Sequence, residues 1–271
     1  MSLDRAVILA RGIGSRMREQ GQATLTADQA AAADAGAKAM MPIAANRPFL
    51  DYVLSGLADA GYSRVCLVIG PDHQAVRDHY GGRRRPSRLT VDFAVQPEPR
   101  GTADAVLAAE SWTGNDPFLV INGDNYYPVS ALKQLHALDG PGTVLFRPRM
   151  LLAHSNIPEE RIRAFAICTL DADGHLATIV EKPTDDQLAA TPDPLVSMNC
   201  WAMSPRIHEG CRAIGPSARG ELELADAIMW VIRERGERFR VFVSDEGVLD
   251  LSRRGDVAPV ARALAGVAVN L

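Results

Sequence analysis

A glycine-rich loop that carries two arginines, Arg11 and Arg16, lies near the start of the chain. The stretch at residues 9–17 reads LARGIGSRM and overlaps the end of an apolar run at residues 6–10. Glycines in such a loop let backbone N–H groups face anionic oxygens, and Arg16 adds a fixed positive charge. The loop is therefore a candidate phosphate-binding site, and a purely structural glycine turn is the alternative interpretation.

Two familiar phosphate-binding patterns do not fit this loop. A dinucleotide-binding fingerprint needs a third glycine at position 17, where the chain has Met17. A P-loop needs a Gly-Lys pair at fixed spacing, and residues 9–17 contain no lysine. A dehydrogenase is therefore disfavoured, and a glycine turn that holds phosphates with its amides and Arg16 remains.

Strand and helix patterns alternate along the first half of the chain. Apolar or alternating runs predict strands at residues 6–10, 64–70, 89–96 and 117–124. Helical spacing predicts helices at residues 49–62, ending at Gly61, at 72–80, and at 101–112 with Thr102 as N-cap. This alternation predicts an α/β fold with a mostly parallel sheet flanked by helices.

The loop and Asp124 both follow predicted strands. Ligands in such sheets bind at the carboxyl ends of the strands, so the loop and Asp124 could lie at one edge in one site.

The second half of the chain is richer in strands. Strands are predicted at residues 142–149, 164–183 and 195–205, with a hairpin turn at Asp173 and Gly174. A helix is predicted at 221–236, followed by strand, turn and strand at 239–251. The alanine-rich stretch at 22–37 favours a short helix.

Composition and charge exclude several function classes. The chain has 271 residues, 47% of them hydrophobic, and a net charge of −4, so wide contact with nucleic acid is not expected. The basic run at 81–88 is interpreted as a solvated loop, with a contact to an anionic ligand or a second subunit as the alternative. The first apolar run, five residues long, is too short for a signal peptide or a membrane span. The chain has four cysteines, and because they are far apart we expect buried free thiols and no disulfides; they are Cys66, Cys168, Cys200 and Cys211. Together with the missing signal peptide and membrane span, this predicts a cytoplasmic protein without a membrane partner.

Six further motifs follow the loop in order along the chain. They are KAMMP (38–42), QPEPRGTADA (96–105), INGDN (121–125), IVEKP (179–183), GELELADAI (220–228) and VLDL (248–251). Together with LARGIGSRM, this series resembles the sugar-1-phosphate nucleotidyltransferase family, of the glucose-1-phosphate thymidylyltransferase type. Each motif is weak alone, but the series in this order is specific.

The resemblance implies both a fold and a reaction. The fold is a Rossmann-like, GT-A-like α/β sheet with a strand-rich sugar-binding insertion, in a single domain over residues 1–271. Residues 1–135 would form the nucleotide-binding half, and 136–256 the sugar-binding half with the second metal aspartate. The reaction is in-line attack of a sugar 1-phosphate on the α-phosphate of an NTP, with Mg²⁺ as cofactor, giving NDP-sugar and pyrophosphate. Because family members often form dimers or tetramers, a homo-oligomer is expected.

The resemblance also implies roles for individual residues. The catalytic residues would be Arg16 at the pyrophosphate, Lys38 near the α-phosphate and Lys182 at the sugar phosphate. Asp124 and Asp250 would hold the magnesium. The nucleotide would contact Leu9, Ala10, Arg11, Gly12, Gly14, Ser15, Gln96, Gly101 and Thr102, of which Gln96 and Gly101 would read the base. The sugar would contact Gly123, Glu181 and Asn199.

The chain departs from the family pattern at two places. Position 11 is an arginine where the family usually has a small residue, so Arg11 either touches phosphate or base, or turns outward. Arg16 and Lys38 are 22 positions apart, roughly double the usual spacing, and the added segment 22–37 is either a lid or a passive insertion. Two other functions stay open: a cytidylyltransferase that acts on a non-sugar phosphate ester, and a nucleotide-sugar-binding regulatory protein without turnover.

Overall fold

The structure, a computed structural model, describes residues 3–12, 14–19, 23–35, 38–44, 47–82 and 86–271. The strands are β1 (Arg5–Leu9), β2 (Arg64–Ile69), β3 (Thr90–Val95), β4 (Phe118–Asn122), β5 (Asn125–Tyr126), β6 (Gly142–Phe146), β7 (Ile167–Leu170), β8 (Leu176–Val180), β9 (Leu195–Met203), β10 (Arg240–Ser244) and β11 (Leu249–Asp250). The helices are α1 (Ser15–Arg18), α2 (Ala27–Asp34), α3 (Phe49–Ala60), α4 (Gln74–Gly81), α5 (Thr102–Ala108), α6 (Glu110–Thr113), α7 (Val129–His136), α8 (Pro148–His154), α9 (Glu159–Ile162), α10 (Asp185–Ala190), α11 (Ile207–Ala213), α12 (Leu224–Arg235) and α13 (Val257–Leu264). Short 3-10 helices cover Lys38–Met40 and Arg254–Asp256.

The central sheet combines strands from both halves of the chain. Within the described residues its order is β10-β6-β9-β4-β1-β2-β3, and the β7–β8 hairpin is attached to β9. The pairs β4–β1, β1–β2, β2–β3 and β6–β10 are parallel, while β9 runs antiparallel to both β4 and β6. The predicted α/β class with a mostly parallel sheet is confirmed.

Both faces of the sheet are buried, as the apolar composition of its central strands requires. In β1, Ala6 and Ile8 pack into one core cluster and Val7 into the other, and all three have no exposed surface. Helices α3 and α7 cover the first face, and α5, α11 and α12 cover the second. The sheet is thus a rigid layer whose strand ends position the loops of the site.

Most of the predicted elements are confirmed within one to a few residues, including α3 with its left-handed cap at Gly61 and the hairpin turn at Gly174. One strand is shorter than predicted, because β6 ends at Phe146 and Pro148 begins α8. Proline fits the first helical turn since its missing N–H has no partner there in any helix.

The cysteine prediction is also confirmed. All four cysteines are buried free thiols, and burial raises the pKa of Cys66 to about 12. No helix in the described part of the chain is long and apolar enough to cross a membrane. Of the basic run, Arg83, Arg84 and Arg85 lie outside the described residues, while Arg88 pairs with Asp59 at 2.7 Å on the surface.

The predicted N-cap role of Thr102 is wrong. The cap of α5 is Gly101, and the hydroxyl of Thr102 instead accepts a hydrogen bond from the N–H of Leu224 at 2.9 Å. Leu224 is the first residue of α12, whose own cap residue, Glu223, makes no side-chain hydrogen bond to the helix start. A threonine on one helix therefore caps another helix that is 122 positions away.

Replacing Thr102 with valine is expected to lower the free energy of unfolding by about 1 kcal/mol, the usual cost of losing a helix cap. Tm should fall by about 2–4 °C in thermal unfolding. Thr102→Ser keeps the acceptor and serves as the control. Equal Tm values for the two variants would contradict the cross-helix cap.

Candidate active site

The predicted phosphate loop starts at the carboxyl end of β1. Gly14 has a left-handed φ of 63°, and its carbonyl accepts hydrogen bonds from the N–H groups of Met17 and Arg18, each at 2.9 Å. This turn begins α1, buries Met17 in the core and leaves Ser15 and Arg16 exposed. The loop therefore directs the guanidinium of Arg16 away from the core, where a ligand can reach it.

Gly123 brings the end of β4 against the same loop. Its N–H donates to the carbonyl of Leu9 at 3.0 Å. A β-carbon at position 123 would lie 3.1 Å from that carbonyl oxygen and 3.2 Å from the β-carbon of Ala10, so the contact is tight for any residue except glycine. The next residue, Asp124, is thereby held beside the loop, as the strand-end prediction requires.

Lys38 and Asp124 form an ion pair although they are 86 positions apart. The Nζ of Lys38 lies 2.9 Å from Oδ2 of Asp124, and their side chains are 19% and 27% exposed. Lys38 begins the 3-10 helix Lys38–Met40, which follows the alanine-rich insertion. The structure therefore brings together two residues that the sequence linked only through separate motifs.

Asp250 reaches the same place from the other end of the chain. Strand β11 pairs antiparallel with β5, so Asp250 lies opposite Asn125, and the N–H of Leu251 donates to the carbonyl of Asp124 at 2.8 Å. The Asp250 carboxylate accepts hydrogen bonds from Asn125 at 3.3 Å and from Arg161. Asp250 is 5% exposed, whereas the Asp124 side chain is partly open.

The two aspartates influence each other electrostatically. Burial raises the pKa of Asp250, the negative charge of Asp124 raises it further, and Arg161 opposes both effects. Two carboxylates that repel each other at the edge of a cleft, with one partly open, suit Mg²⁺, which takes a few carboxylates and completes its shell with phosphate oxygens and water. The described residues contain no group of three or more His, Cys, Asp or Glu that could hold a metal on their own. The pair therefore fits a magnesium ion that a phosphate ligand shares.

A cavity of about 190 Å³, the loop cavity, has Asp124 in its wall. It is lined by six of the predicted site residues, namely Leu9, Ala10, Gly12, Lys38, Gly123 and Asp124. The remaining wall comes from the region around Asp72 and His73, from Val76 and from Ala35. Gly123, which the resemblance assigned to the sugar, thus lies with the nucleotide residues.

A second cavity of about 370 Å³, the cationic cavity, is lined by Arg161, the ion-pair partner of Asp250. It is lined by four predicted residues, namely Arg16, Glu181, Lys182 and Asn199, and also by Arg161 and Arg253. The four basic side chains face two acidic ones, Glu160 and Glu181, so the wall of this cavity has an excess of positive charge. Arg16, the arginine of the phosphate loop, lines this cavity rather than the loop cavity.

Two predicted residues in the cationic cavity have backbone conformations that are rare for residues with a side chain. Lys182 has a φ of 44° and Asn199 a φ of 54°. Such left-handed angles concentrate at functional sites, where the surrounding structure imposes them. Beside them, burial raises the pKa of Glu181 and the charge of Glu223 adds to the rise.

A protein-family model described as Nucleotidyl transferase matches residues 5–251 of the chain. The chain belongs to the nucleotidyl transferase family. Similar relatives are the glucose-1-phosphate thymidylyltransferases of Streptomyces antibioticus, 32% identical, and of Streptomyces griseus, 30% identical; each alignment covers 84% of this chain and 57% of the relative. The chain thus spans 57% of the length of these relatives. A UTP–glucose-1-phosphate uridylyltransferase, AglF, of Haloferax volcanii is 27% identical over 84% of each chain.

Solved structures share the fold of this family member. A UTP-bound UGPase from Acinetobacter baumannii superimposes with a TM-score of 0.75 at 16% identity, over 99% of this chain and 96% of the other. A UDP-glucose pyrophosphorylase in complex with UDP-glucose gives a TM-score of 0.74 at 18% identity, over 96% and 98% of the chains. The likeness confirms the α/β architecture that the strand pattern and the resemblance predicted.

The residues predicted to read the base, Gln96 and Gly101, line neither of the two cavities. Gln96 is 3% exposed, and its side-chain amide donates to the carbonyl of Gly101 at 3.1 Å and to Asp104 at 2.8 Å. Gly101 has a φ of 129°, and a β-carbon there would lie 2.4 Å from the carbonyl oxygen of Leu222. In this structure Gln96 and Gly101 therefore shape the loop at 96–101, and their contact with a base stays a prediction.

Arg11 joins this loop to the phosphate loop. Its Nε donates to the carbonyl of Gln96 at 3.3 Å and its Nη2 to the carbonyl of Pro97 at 3.2 Å. Arg11 is thus hydrogen-bonded to the neighbouring loop, and its contact with phosphate or base stays a prediction. In this family member the two loops are tied together by a side chain that a small residue at position 11 could not supply.

The described part of the insertion at 22–37 forms the predicted short helix, α2, while Gln22, Gly36 and Ala37 lie outside the described residues. Thr26 and Gln29 cap its start reciprocally. Arg254 forms an ion pair with Asp34, and Arg18 donates to the carbonyl of Ala35 at 2.9 Å. Since Ala35 also lines the loop cavity, the insertion is an anchored wall of the site in this structure.

Several site residues were not predicted from the sequence. Asn125, Asn156, Arg161 and Asp256 all surround Asp250, either directly or through one another. Arg161 and Asp256 are 95 positions apart and share no local pattern. Of these residues, only Asn125 lies inside one of the family-like motifs, INGDN. Its position next to Asp124 is the sequence feature that could have identified it as a site residue.

Proposed function

We propose that this family member transfers a nucleotidyl group from an NTP to a sugar 1-phosphate, giving NDP-sugar and pyrophosphate. The observation that carries the proposal is that each of the two aspartates is linked to a different cavity. Asp124 lines the loop cavity, and Asp250 hydrogen bonds to Arg161, which lines the cationic cavity. A reaction that joins two phosphorylated molecules needs two binding sites that meet at one charged centre.

In this reaction a phosphate oxygen of the sugar 1-phosphate bonds to the α-phosphorus of the NTP. The bond between that phosphorus and the oxygen leading to the β-phosphorus breaks, and pyrophosphate leaves with the electron pair. Both reactants are anions, so catalysis rests on positioning and charge neutralisation. Lys182 would hold the sugar phosphate, Lys38 would face the α-phosphate, and Arg16 would bind the departing pyrophosphate.

Asp124 and Asp250 would hold Mg²⁺, which, when bound, supplies positive charge at the reacting phosphate. Lys38 lies 2.9 Å from Asp124, so a phosphate bound beside Asp124 would lie within reach of this lysine. No proton acceptor is needed for the attack, because the attacking oxygen already carries negative charge.

The same proposal divides the chain into two parts. Residues 1–135 would bind the nucleotide and 136–256 the sugar, although strands of both parts share one sheet. Residues 160–199 supply most of the wall of the cationic cavity, in support of a sugar site in the second part. The names of the relatives support glucose 1-phosphate as one acceptor to test. They also support thymidylyl and uridylyl groups as the groups that are transferred to it.

The decisive experiment is a matrix of NTPs against sugar 1-phosphates with Mg²⁺ present. Pyrophosphate should be released only where both substrates are present, and mass spectrometry should detect the matching NDP-sugar. If an NTP releases pyrophosphate with a non-sugar phosphate ester but with no sugar 1-phosphate, the cytidylyltransferase alternative is favoured. Nucleotide binding without turnover on any pair would contradict the proposal and favour a regulatory protein.

Replacing Arg11 with glycine is expected to raise the KM for the NTP about three- to tenfold, because two hydrogen bonds that fix the loop at 96–97 are lost. The maximal rate should change less than KM, since the charged groups around Asp124 stay in place. Steady-state kinetics with Arg11→Lys as the partner variant separates charge from geometry. If Arg11→Lys behaves as the unaltered protein, charge alone is responsible and the hydrogen-bonded geometry is not.

A further inference from the structure

A buried ion triad connects Asp250 to the turn that follows β11. Arg161 donates through Nη2 to Oδ1 of Asp250 and through Nη1 to Oδ1 of Asp256, the latter at 2.7 Å. The side chains of Arg161 and Asp256 are each 9% exposed, and that of Asp250 is 8% exposed. The planar guanidinium thus binds two carboxylates at fixed positions, which a single ammonium group cannot reproduce.

Asp256 is itself held by the backbone. Its Oδ2 accepts hydrogen bonds from the N–H groups of Ser252 at 2.9 Å and Arg253 at 2.8 Å. These two residues directly follow the end of β11, so Asp256 fixes the turn that leaves the strand. The far end of the triad is therefore anchored independently of Asp250.

The near end of the triad determines where the Asp250 carboxylate points. One oxygen accepts from Arg161 and the other from Asn125 at 3.3 Å, while Asn156 brackets the Asp250 backbone with hydrogen bonds of 2.7 and 2.8 Å. Asn125 belongs to β5 and sits next to Asp124. Arg161 and Asn125 together therefore fix both oxygens of the Asp250 carboxylate.

Arg161 also belongs to the wall of the cationic cavity. It is carried by α9, a four-residue helix that is separate from the strands bearing Asp124 and Asp250. The cations Arg16 and Lys182 line the same cavity without a carboxylate partner in the described structure, whereas Arg161 pairs with two carboxylates. A role in holding Asp250 therefore explains Arg161 better than a direct contact with substrate.

We propose that Arg161 is a positioning residue that orients Asp250 for a divalent cation shared with Asp124, and that Asp256 anchors it. The proposal rests on the proposed function for the identity of the two metal aspartates. Residues that orient metal ligands through hydrogen bonds typically change metal affinity about 10- to 100-fold when they are replaced.

Mn²⁺ binding without substrates tests this proposal, with the free Mn²⁺ signal followed by electron paramagnetic resonance. Arg161→Lys keeps the charge but loses the two-armed geometry, so it should weaken Mn²⁺ binding about tenfold or more. Asp256→Asn removes the anchor's charge and should shift binding in the same direction by a smaller factor. Arg163→Lys is the matched control, because Arg163 is two positions away, exposed and paired with Asp185 on the surface.

The outcomes separate this inference from the proposed function. Unchanged Mn²⁺ affinity in Arg161→Lys, in protein whose Tm shows that it is folded, overturns the positioning role. If Arg161→Lys does not fold, Asp256→Asn carries the test, and unchanged affinity there overturns the proposal. Normal Mn²⁺ binding by the unaltered protein, but no turnover in the substrate matrix, contradicts the proposed function while leaving the role of Arg161 supported by its own variants.

Discussion

Replacing Asp124 with asparagine is expected to reduce turnover about 10²- to 10³-fold while leaving the fold intact. The loss of one carboxylate removes several kcal/mol of charge stabilisation at the reacting phosphate, because an amide is a poor ligand for Mg²⁺. The backbone of Asp124 keeps its hydrogen bond from Leu251 at 2.8 Å, and its side chain is 27% exposed, so Tm should change little. Pyrophosphate release at saturating substrate, measured beside thermal unfolding, checks both parts.

Asp116 offers a matched control for this prediction. It precedes β4, at the opposite end from Asp124, and pairs with Arg5 while its side chain stays 48% exposed. Asp116→Asn should keep nearly full turnover, because exposed ion pairs contribute little and this one is far from the strand ends of the site. Full turnover in Asp124→Asn would remove Asp124 from the metal site and leave its pairing with Lys38 as a structural contact only.

The position of Asp124 illustrates what sequence reasoning can reach. Its strand is a continuous apolar run, which is typical of a strand buried on both faces, and the carboxyl ends of parallel strands meet at one edge. These two local facts were enough to place Asp124 beside the loop at 9–17. The contact itself depends on Gly123, whose hydrogen bond to Leu9 could be expected from strand order but not from either motif alone.

The surroundings of Asp250 show where such reasoning stops. Strand β11 has two residues, and Asp250 pairs with Asn125, which lies 125 positions earlier in the chain. A strand this short has no hydrophobic periodicity from which its pairing with β5 could be predicted. The triad with Arg161 and Asp256 forms only when α9 and the 3-10 helix Arg254–Asp256 pack next to each other. That packing depends on the fold of the whole chain and not on the local sequence. The same holds for Thr102, whose local sequence favours a cap on its own helix but whose hydroxyl caps α12.

The strained backbone conformations in the cationic cavity could not be predicted from the sequence either. The motif IVEKP identifies Lys182 as a candidate, yet nothing in its letters indicates a left-handed φ. For a residue with a β-carbon this conformation costs about 1–2 kcal/mol, so the fold must impose it. Strain at Lys182 and at Asn199 in one cavity is consistent with a backbone arranged to direct side chains inward rather than to maximise stability.

The strain leads to a second prediction, in which activity and stability move independently. Lys182→Met keeps the β-carbon and the strain but removes the charge that would face the sugar phosphate. We expect kcat/KM for the sugar 1-phosphate to fall about 10²- to 10³-fold, since an unpaired buried phosphate costs several kcal/mol, with Tm unchanged. Lys182→Gly should lose the same activity, yet its Tm should be equal or higher by about 1–3 °C, because relief of the left-handed strain outweighs the entropy that glycine adds to the unfolded chain.

Asp193 separates strain from function in this comparison. Its φ of 48° is similar to that of Lys182, but it lies outside the cationic cavity and makes an exposed ion pair with Arg147 at 3.4 Å. Asp193→Gly should therefore raise Tm by a similar amount and leave kcat/KM unchanged, because an exposed pair contributes little. A Lys182→Gly variant with lower Tm than Lys182→Met would show that the lysine conformation is not strained. Unchanged kcat/KM in Lys182→Met would show that the cationic cavity binds the sugar phosphate without this lysine.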